Sequence, residues 1–143
     1  MSEPPVQGER SVRTLAWLGD AEFEREVRLR LARRGDFPTD RLHAMKARVV
    51  CAEAQAELLA AIEAMLDDAE AGVVRRARNL SHKAGSRGVR STRDYRSSTA
   101  LEALVAHWCL CTSGRGRFDE LVVPRIEARI EAALATGKPP RRG

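Results

Sequence analysis

Two carboxylates stand out because each is predicted to lie on the apolar face of a helix. Helical periodicity places Asp20 on the same stripe as Phe23 and Val27. It places Glu102 on the same stripe as Val105, within a helix that is apolar around most of its circumference. A carboxylate on a buried face is tolerated mainly as part of an ion pair, as a helix cap or as a metal ligand. Burial alone leaves a structural and a functional role equally open.

Taken together, the two carboxylates predict a shared metal site. If their helices cross, Asp20 and Glu102 come close together, and neither has an obvious cation on its own stripe. Mg²⁺ would stabilise both ionised forms, because it prefers carboxylate oxygens and keeps several waters. The alternative is that arginines from other helices pair with the two acids. Glu24, one turn after Asp20, is expected to pair with Arg28 at the surface rather than to assist the site.

Other catalytic constellations are absent from the sequence. It contains no G-x-S-x-G, P-loop or G-x-G-x-x-G motif. The histidines lack zinc-site spacing, and the odd number of cysteines without C-x-x-C spacing predicts buried free thiols. Those residues are His43, His82 and His107, and Cys51, Cys109 and Cys111. Free thiols are typical of the reducing cytoplasm, which is the predicted location.

A basic segment indicates an anionic partner, in line with the net charge of +5. It contains Arg75, Arg76, Arg78, Lys83, Arg87, Arg90, Arg93 and Arg96 against the single acid Asp94. Tyr95 is the one aromatic residue nearby, which argues against stacking on single-stranded bases. Recognition of a duplex through its phosphates and shape is favoured, with a merely solvated loop as the alternative. A metal-binding acid pair beside such a surface is suited to phosphodiester hydrolysis.

Helices must position these residues. The 143-residue chain is long enough for one domain, and its composition of 43% hydrophobic but only 4% aromatic residues favours helices over strands. No apolar run reaches the roughly 20 residues that a membrane helix needs, so no membrane partner is expected. The predicted architecture is an all-α helical bundle.

The predicted order of segments follows from caps, prolines and apolar spacing. We expect a flexible lead-in over residues 1–10, a folded domain over 11–136 and a disordered basic tail over 137–143. Within the domain, predicted helices start at Ser11 or Arg13 and end at Arg34, follow Thr39 or Asp40, and cover about 50–65, 67–79, 97–111 and 117–135. One long loop is predicted over Leu80–Asp94, and a kink or late start of the last helix at Pro124.

Five short motifs occur in order along the chain. They are L-A-W-L-G-D-A at 15–21, V-C-A-E-A-Q-A at 50–56, R-A-R-N at 76–79, Y-R-S-S-T-A-L-E-A-L at 95–104 and R-F-D-E-L at 117–121. As a set they resemble the motifs of the Mini-ribonuclease III family, the small bacterial relatives of ribonuclease III. In that family the second to fifth motifs read V-S-A-K-A-Q-A, R-G-R-N, Y-R-x-S-T-x-x-E-A-L and R-L-x-E-L.

The resemblance implies an all-helical ribonuclease III-like catalytic domain without a separate RNA-binding domain. Such enzymes are homodimers that use Mg²⁺, with Mn²⁺ as a substitute, to cut double-stranded RNA into 5′-phosphate products, and several mature 23S ribosomal RNA precursors. The catalytic and metal-binding acids carry over to Asp20 and Glu102. Larger relatives have further acids at the positions of Ala16 and Thr99, so water or substrate is expected to complete the metal shell. The expected phosphate contacts are Arg75, Arg76, Arg78, Asn79, Lys83 and Arg96.

Three residues depart from the family pattern. Ala77 and Ala106 replace glycines, and Glu22 stands where an apolar residue is usual. None of them removes a catalytic acid, so an active endoribonuclease is expected. The alternative is a catalytically silent RNA-binding or ribosome-associated protein of the same fold. A plain helical interaction module would bind neither RNA nor metal.

Overall fold

Seven helices make up the part of the chain described by this computed structural model, residues 10–80 and 89–136. They are α1 (Val12–Arg34), α2 (Thr39–Val50), α3 (Ala52–Ile62), α4 (Asp68–Arg78), α5 (Val89–Leu110), α6 (Gly114–Leu121) and α7 (Val123–Leu134), with a 3-10 turn at Glu63–Met65 after α3. No strand occurs within these ranges, and the all-α prediction is confirmed. Residues 1–9 of the predicted lead-in over 1–10, residues 81–88 of the predicted loop, with Lys83, and the predicted tail over 137–143 lie outside the described residues.

Helix α1 has the bounds that its local signals predict. The Ser11 hydroxyl caps its start by accepting a hydrogen bond from the Thr14 amide at 3.2 Å. The helix ends at Arg34, and its C-cap is Gly35, whose φ of 156° glycine adopts without strain. Its buried face includes Leu15 and Phe23, each 1% exposed, and this face directs α1 onto the core.

Helix α5 is the centre of the bundle. It packs against α1, α3, α4 and α6. Around Glu102 its residues are small or apolar, and Leu101, Ala103 and Leu104 are fully buried. This burial places Glu102 in the middle of the molecule rather than on a loop. None of the described helices combines the length and the hydropathy that a membrane span requires.

The backbones of α1 and α5 touch at Gly19. A Cβ atom at this position would lie 1.6 Å from the carbonyl oxygen of Glu102 and 2.4 Å from its carbonyl carbon. Only glycine therefore permits the two helices to cross this closely. Because Asp20 is the next residue, the crossing places its carboxylate beside Glu102.

Three helix boundaries differ from the predictions. The predicted helix over 50–65 begins only at Ala52, because Cys51 is extended (φ −62°, ψ 156°) and separates α2 from α3. The predicted loop over Leu80–Asp94 is wrong for residues 89–94, which belong to α5, since neither Gly nor Pro interrupts the chain after Gly88. The predicted last helix is two helices, and Pro124 lies in the first turn of α7, where its missing N–H costs little.

A buried carboxylate, Glu70, ties three helices together. Glu70 is 2% exposed and forms a capping box with Asp67 at the start of α4. Its carboxylate also accepts hydrogen bonds from Trp108 Nε1 of α5 at 2.7 Å and from Arg117 Nε and Nη2 of α6 at 2.9 and 2.6 Å. Chiefly because of the bonds from Arg117, the pKa of Glu70 falls to about 2. This acid is therefore a structural anchor.

Candidate functional site

The structure brings the two predicted acids together. Asp20 of α1 and Glu102 of α5 share a hydrogen bond where the helices cross. Glu102 is half-buried, whereas Asp20 is exposed, so the prediction that Asp20 lies on a buried stripe is wrong. The buried face of α1 passes through Gly19 and Phe23, and Asp20 lies at its edge, where solvent reaches it. The arrangement offers one carboxylate from the interior and one from the surface.

Burial and the neighbouring Asp20 oppose the ionisation of Glu102. Burial, the hydrogen bond with Asp20 and the negative charge of Asp20, in that order, raise the pKa of Glu102 to about 8, while a hydrogen bond from Gln55 lowers it. At neutral pH the pair therefore holds a proton. A divalent cation would remove the repulsion, and carboxylate oxygens are the hard ligands that Mg²⁺ prefers. The donor set fits such an ion.

Within residues 10–80 and 89–136, no arginine or lysine forms an ion pair with either acid. Among the ion pairs of the described residues, none includes Asp20 or Glu102. Glu24 is engaged separately, because it pairs with Lys46 at 3.0 Å and with Arg28 at 3.2 Å, the partner that the sequence predicts. The alternative in which basic side chains hold the two acids therefore has no support in this part of the chain.

The acid pair has no further protein ligand of the usual kinds within the described ranges. No group of three or more His, Cys, Asp or Glu residues there could hold a metal ion. Thr99, where larger relatives have an acid, is turned into its own helix and donates a hydrogen bond to the Tyr95 carbonyl at 2.9 Å. Water or substrate would have to supply the remaining ligands of a cation. Cys51 and Cys109, for which buried thiols were predicted, are exposed.

Sequence reasoning missed Gln55, which contacts Glu102 from α3. Gln55 is 4% exposed, and its Nε2 donates a hydrogen bond to the carbonyl of Val50 at 2.8 Å. A side-chain hydrogen bond from Gln55 also lowers the pKa of Glu102. The signal that could have identified it is position: a polar residue occupies the buried face that continues through Leu58 and Leu59.

One groove brings together three of the predicted phosphate contacts. Arg78, Asn79 and Arg96 line a groove of about 1390 Å³ between α3, the end of α4 and the start of α5. The groove runs along α3 and α5, the helices that carry Gln55 and Glu102. Arg93 adds a further positive charge, but the acids Glu53, Glu57 and Asp94 also line the groove. Its charge is therefore mixed rather than uniformly basic.

The other predicted phosphate contacts among the described residues do not line this groove. Arg75 is exposed and joins Arg78 and Asn79 in a smaller adjoining pocket of about 230 Å³. Arg76 is exposed but lines neither space. Arg78 already binds Glu63, with nitrogen–oxygen distances of 2.6 and 2.8 Å. The guanidiniums of Arg75 and Arg96 are thus the more accessible for a phosphate.

A separate cavity of about 320 Å³ lies between α1, α5 and α6 and, like the groove, is lined by none of Asp20, Gln55 and Glu102. Trp108 and Phe118 form its apolar wall, and Glu26 and Arg115 form an ion pair there at 2.8 Å. Since Glu26 is also paired with Arg30, its charges are already balanced by structural partners.

Comparison with known proteins identifies close relatives. The Ribonuclease III domain family matches residues 13–113, a range that contains both acids. Mini-ribonuclease 3 of Brevibacillus brevis is 39% identical over 117 residues, which cover 82% of this chain and 85% of that protein. Mini-ribonuclease 3 of Desulfitobacterium hafniense is 40% identical over 97 residues, 68% of this chain and 60% of that protein. The protein of the same name from Symbiobacterium thermophilum is 40% identical over 94 residues, 66% of this chain and 72% of that protein.

Proposed function

The chain belongs to the ribonuclease III family of endoribonucleases, and we propose that it hydrolyses double-stranded RNA with Mg²⁺ held by Asp20 and Glu102. The observation that carries this proposal is the contact between the two acids at the crossing of α1 and α5. Two carboxylates in contact, without an ion-pair partner among the described residues and with one of them open to solvent, suit a cation that must also reach a phosphate.

The two acids have different tasks in this proposal. Glu102 presents an oxygen ligand from the centre of the fold, where its helix is held on several sides. Asp20 presents one at the surface, where an RNA backbone can approach. When bound, the divalent cation supplies activation of water for attack and stabilisation of charge on the scissile phosphate. Binding of the cation requires Glu102 to release the proton that it holds at neutral pH.

The basic residues are proposed to hold the duplex. Phosphate contacts position a nucleic acid without reading its sequence, and exposed guanidiniums suit them. The proposed contacts remain Arg75, Arg76, Arg78, Asn79, Lys83 and Arg96. Support comes from the groove that Arg78, Asn79 and Arg96 share and from the exposure of Arg75.

The proposal includes a homodimer, in which two sites act on the two strands of one duplex. Its support is Trp17, which is 77% exposed and lies one turn before Asp20 on α1. An exposed tryptophan is expensive to leave in water and is enriched at the centres of interfaces. The proposed cellular substrate is a 23S ribosomal RNA precursor in the cytoplasm, which is supported only by the resemblance of the motifs.

Cleavage of an end-labelled RNA duplex tests the proposal. We expect cleavage with Mg²⁺ or Mn²⁺, no cleavage with EDTA, and loss of at least about a hundredfold in rate for Asp20→Asn and Glu102→Gln. Both variants should still bind the duplex. Glu24→Gln is the matched control, because it removes a carboxylate one turn away that is bound to Lys46 and Arg28, and it should cleave nearly normally.

Two outcomes would contradict the proposal. Duplex binding without cleavage in either metal would identify a catalytically silent RNA-binding protein. Absence of both binding and cleavage would reject an RNA substrate of this kind altogether.

A further inference from the structure

We propose that Gln55 is a positioning residue of the metal centre, which holds the Glu102 carboxylate with its amide nitrogen and offers its Oε1 to a hydration water of the bound cation. This inference rests on the proposed function, because it takes Asp20 and Glu102 as the metal ligands. It assigns a role at the metal centre to an uncharged residue, and this role does not follow from the identification of the two acids.

The side chain of Gln55 is anchored to the backbone. Its Nε2 donates to the carbonyl of Val50 at 2.8 Å, across the corner where Cys51 separates α2 from α3. The same amide group bonds to Glu102. A primary amide nitrogen has two hydrogens, so the bond to Val50 leaves one of them for the Glu102 carboxylate. In the proposed role, Gln55 connects Glu102 to the main chain at the corner between α2 and α3.

The oxygen of the same amide is left without a donor. Gln55 is 4% exposed, and its Oε1 is buried with no hydrogen-bond partner among the described residues. A buried acceptor without a donor costs free energy, so natural proteins rarely retain one unless a water or ligand satisfies it. Here the orphaned oxygen belongs to an amide that is bound to a proposed metal ligand.

A hydrated divalent cation supplies the missing donor. Mg²⁺ and Mn²⁺ keep water molecules when they are held by only two carboxylates, and those waters are strong donors because the cation polarises them. Groups that orient metal ligands in this way typically change metal affinity about 10- to 100-fold when they are removed. Gln55 therefore acts through Glu102 and the hydration shell, without being a ligand itself.

Mn²⁺ binding to the RNA-free protein, measured by isothermal titration calorimetry, tests this role. Gln55→Met keeps the length and the burial of the side chain but removes both hydrogen-bonding groups. We expect its affinity for Mn²⁺ to fall about tenfold or more. Leu58→Met, on the same helix and 5% exposed, is the control for disturbance of the core and should bind Mn²⁺ as the wild type does.

A second variant and a second measurement separate positioning from folding. Gln55→Asn keeps the amide but is one methylene too short to join Val50 and Glu102, so it should show the same weakening. In cleavage assays, both Gln55 variants should require more Mn²⁺ for half-maximal rate and should regain most of the wild-type kcat at saturating Mn²⁺. A protein that is merely misfolded would not regain it.

The outcomes distinguish the two proposals. If the wild type binds Mn²⁺ in a manner that Asp20→Asn abolishes, while both Gln55 variants bind it normally, the positioning role is wrong and the proposed function stands. If the wild type neither binds Mn²⁺ at these acids nor cleaves the duplex, the proposed function fails, and the role of Gln55 fails with it.

Discussion

Burial of Glu102 beside Asp20 makes folding less favourable as the pH rises, while no cation is bound. Folding raises the pKa of Glu102 from its ordinary 4.5 to about 8. The folded protein then binds this proton more tightly than the unfolded chain, so the free energy of unfolding falls as the pH rises between those two values. A cation that binds both carboxylates would restore stability in the same pH range.

We expect Glu102→Gln to stabilise the metal-free protein at high pH. The amide resembles the protonated acid, so the variant should nearly match the wild type near pH 4 and exceed it by on the order of 3 kcal/mol, or about 10 °C in Tm, near pH 8.5. Thermal unfolding in EDTA at the two pH values measures this difference. Equal Tm differences at both pH values would contradict the raised pKa of Glu102.

Glu70 has the opposite pH dependence. Its pKa is lowered from 4.5 to about 2, mainly by Arg117, so its contribution to stability is complete above about pH 4.5 and is lost as the pH falls toward 2. We expect Glu70→Gln to lower the free energy of unfolding by about 2 kcal/mol or more at neutral pH, because Arg117 and Trp108 lose their acceptor.

Urea unfolding at neutral pH and near pH 3 measures this loss. The control is Glu63→Gln, which breaks the partly exposed pair with Arg78 and should change stability by less than about 1 kcal/mol. A similar loss for both variants would show that burial of Glu70 contributes nothing.

For single residues, the sequence indicates which side chains could be functional better than it indicates how buried they are or what they contact. Glu102 could be singled out because a carboxylate contrasts with an apolar helix, whereas the same contrast singles out Asp20 although it lies at the exposed edge of its helix face. Gln55 could not be identified in the same way, because an uncharged amide gives a weak contrast and its partners lie on other helices. The bond between Glu70 and Arg117 joins residues 47 positions apart, and no local pattern indicates such a pair.

Among the helices, α1 could be predicted closely because Ser11 and Gly35 are strong local end signals. The start of α5 could not be predicted, since the arginine- and serine-rich residues 89–94 have no apolar periodicity of their own. They are helical because they continue a helix whose later residues are buried. The break between α6 and α7 likewise depends on tertiary packing, because Pro124 by itself is compatible with either a kink or the start of a new helix.

The crossing of α1 and α5 gives a prediction for these two elements. Gly19→Ala would place a Cβ 1.6 Å from the Glu102 oxygen, so the helices must separate. We expect a loss of about 3 kcal/mol or more in the free energy of unfolding, comparable to severe overpacking, together with loss of cleavage. Chemical denaturation and the duplex assay measure both.

Gly116→Ala is the matched control on α6. A Cβ atom there meets nothing within 4 Å, so alanine should stabilise the helix by up to about 1 kcal/mol and leave cleavage unchanged. If Gly19→Ala were equally harmless, the close backbone contact between α1 and α5 would be wrong.

For the molecule as a whole, RNA affinity should depend on a few arginines rather than on net charge. Arg75→Ala and Arg96→Ala should each weaken duplex binding and reduce the slope of log K against log salt by about 1. Arg33→Ala removes the same charge from an exposed position at the end of α1, outside the groove, and should change little. Equal effects of all three variants would indicate unspecific attraction.

Assembly is the second property at this scale. We expect Trp17→Ala to shift the proposed dimer toward monomer in sedimentation at micromolar concentration, because removal of a central aromatic contact costs about 2 kcal/mol or more. Met65→Ala, which removes another exposed apolar side chain, should not change the assembly. A wild-type protein that sediments as a monomer at all concentrations would exclude the dimer.

The direct contact of Gly19 with the Glu102 backbone makes the relative position of the two acids independent of the packing of core side chains. Elsewhere in the interior, side chains can change size and rotamer when neighbouring residues are substituted. Where main chain contacts main chain, no rotamer can change to accommodate a substitution. The spacing of Asp20 and Glu102 is therefore insulated from drift in the surrounding core. Substitutions in the core can therefore change its packing without separating the two stretches of main chain that carry the carboxylates.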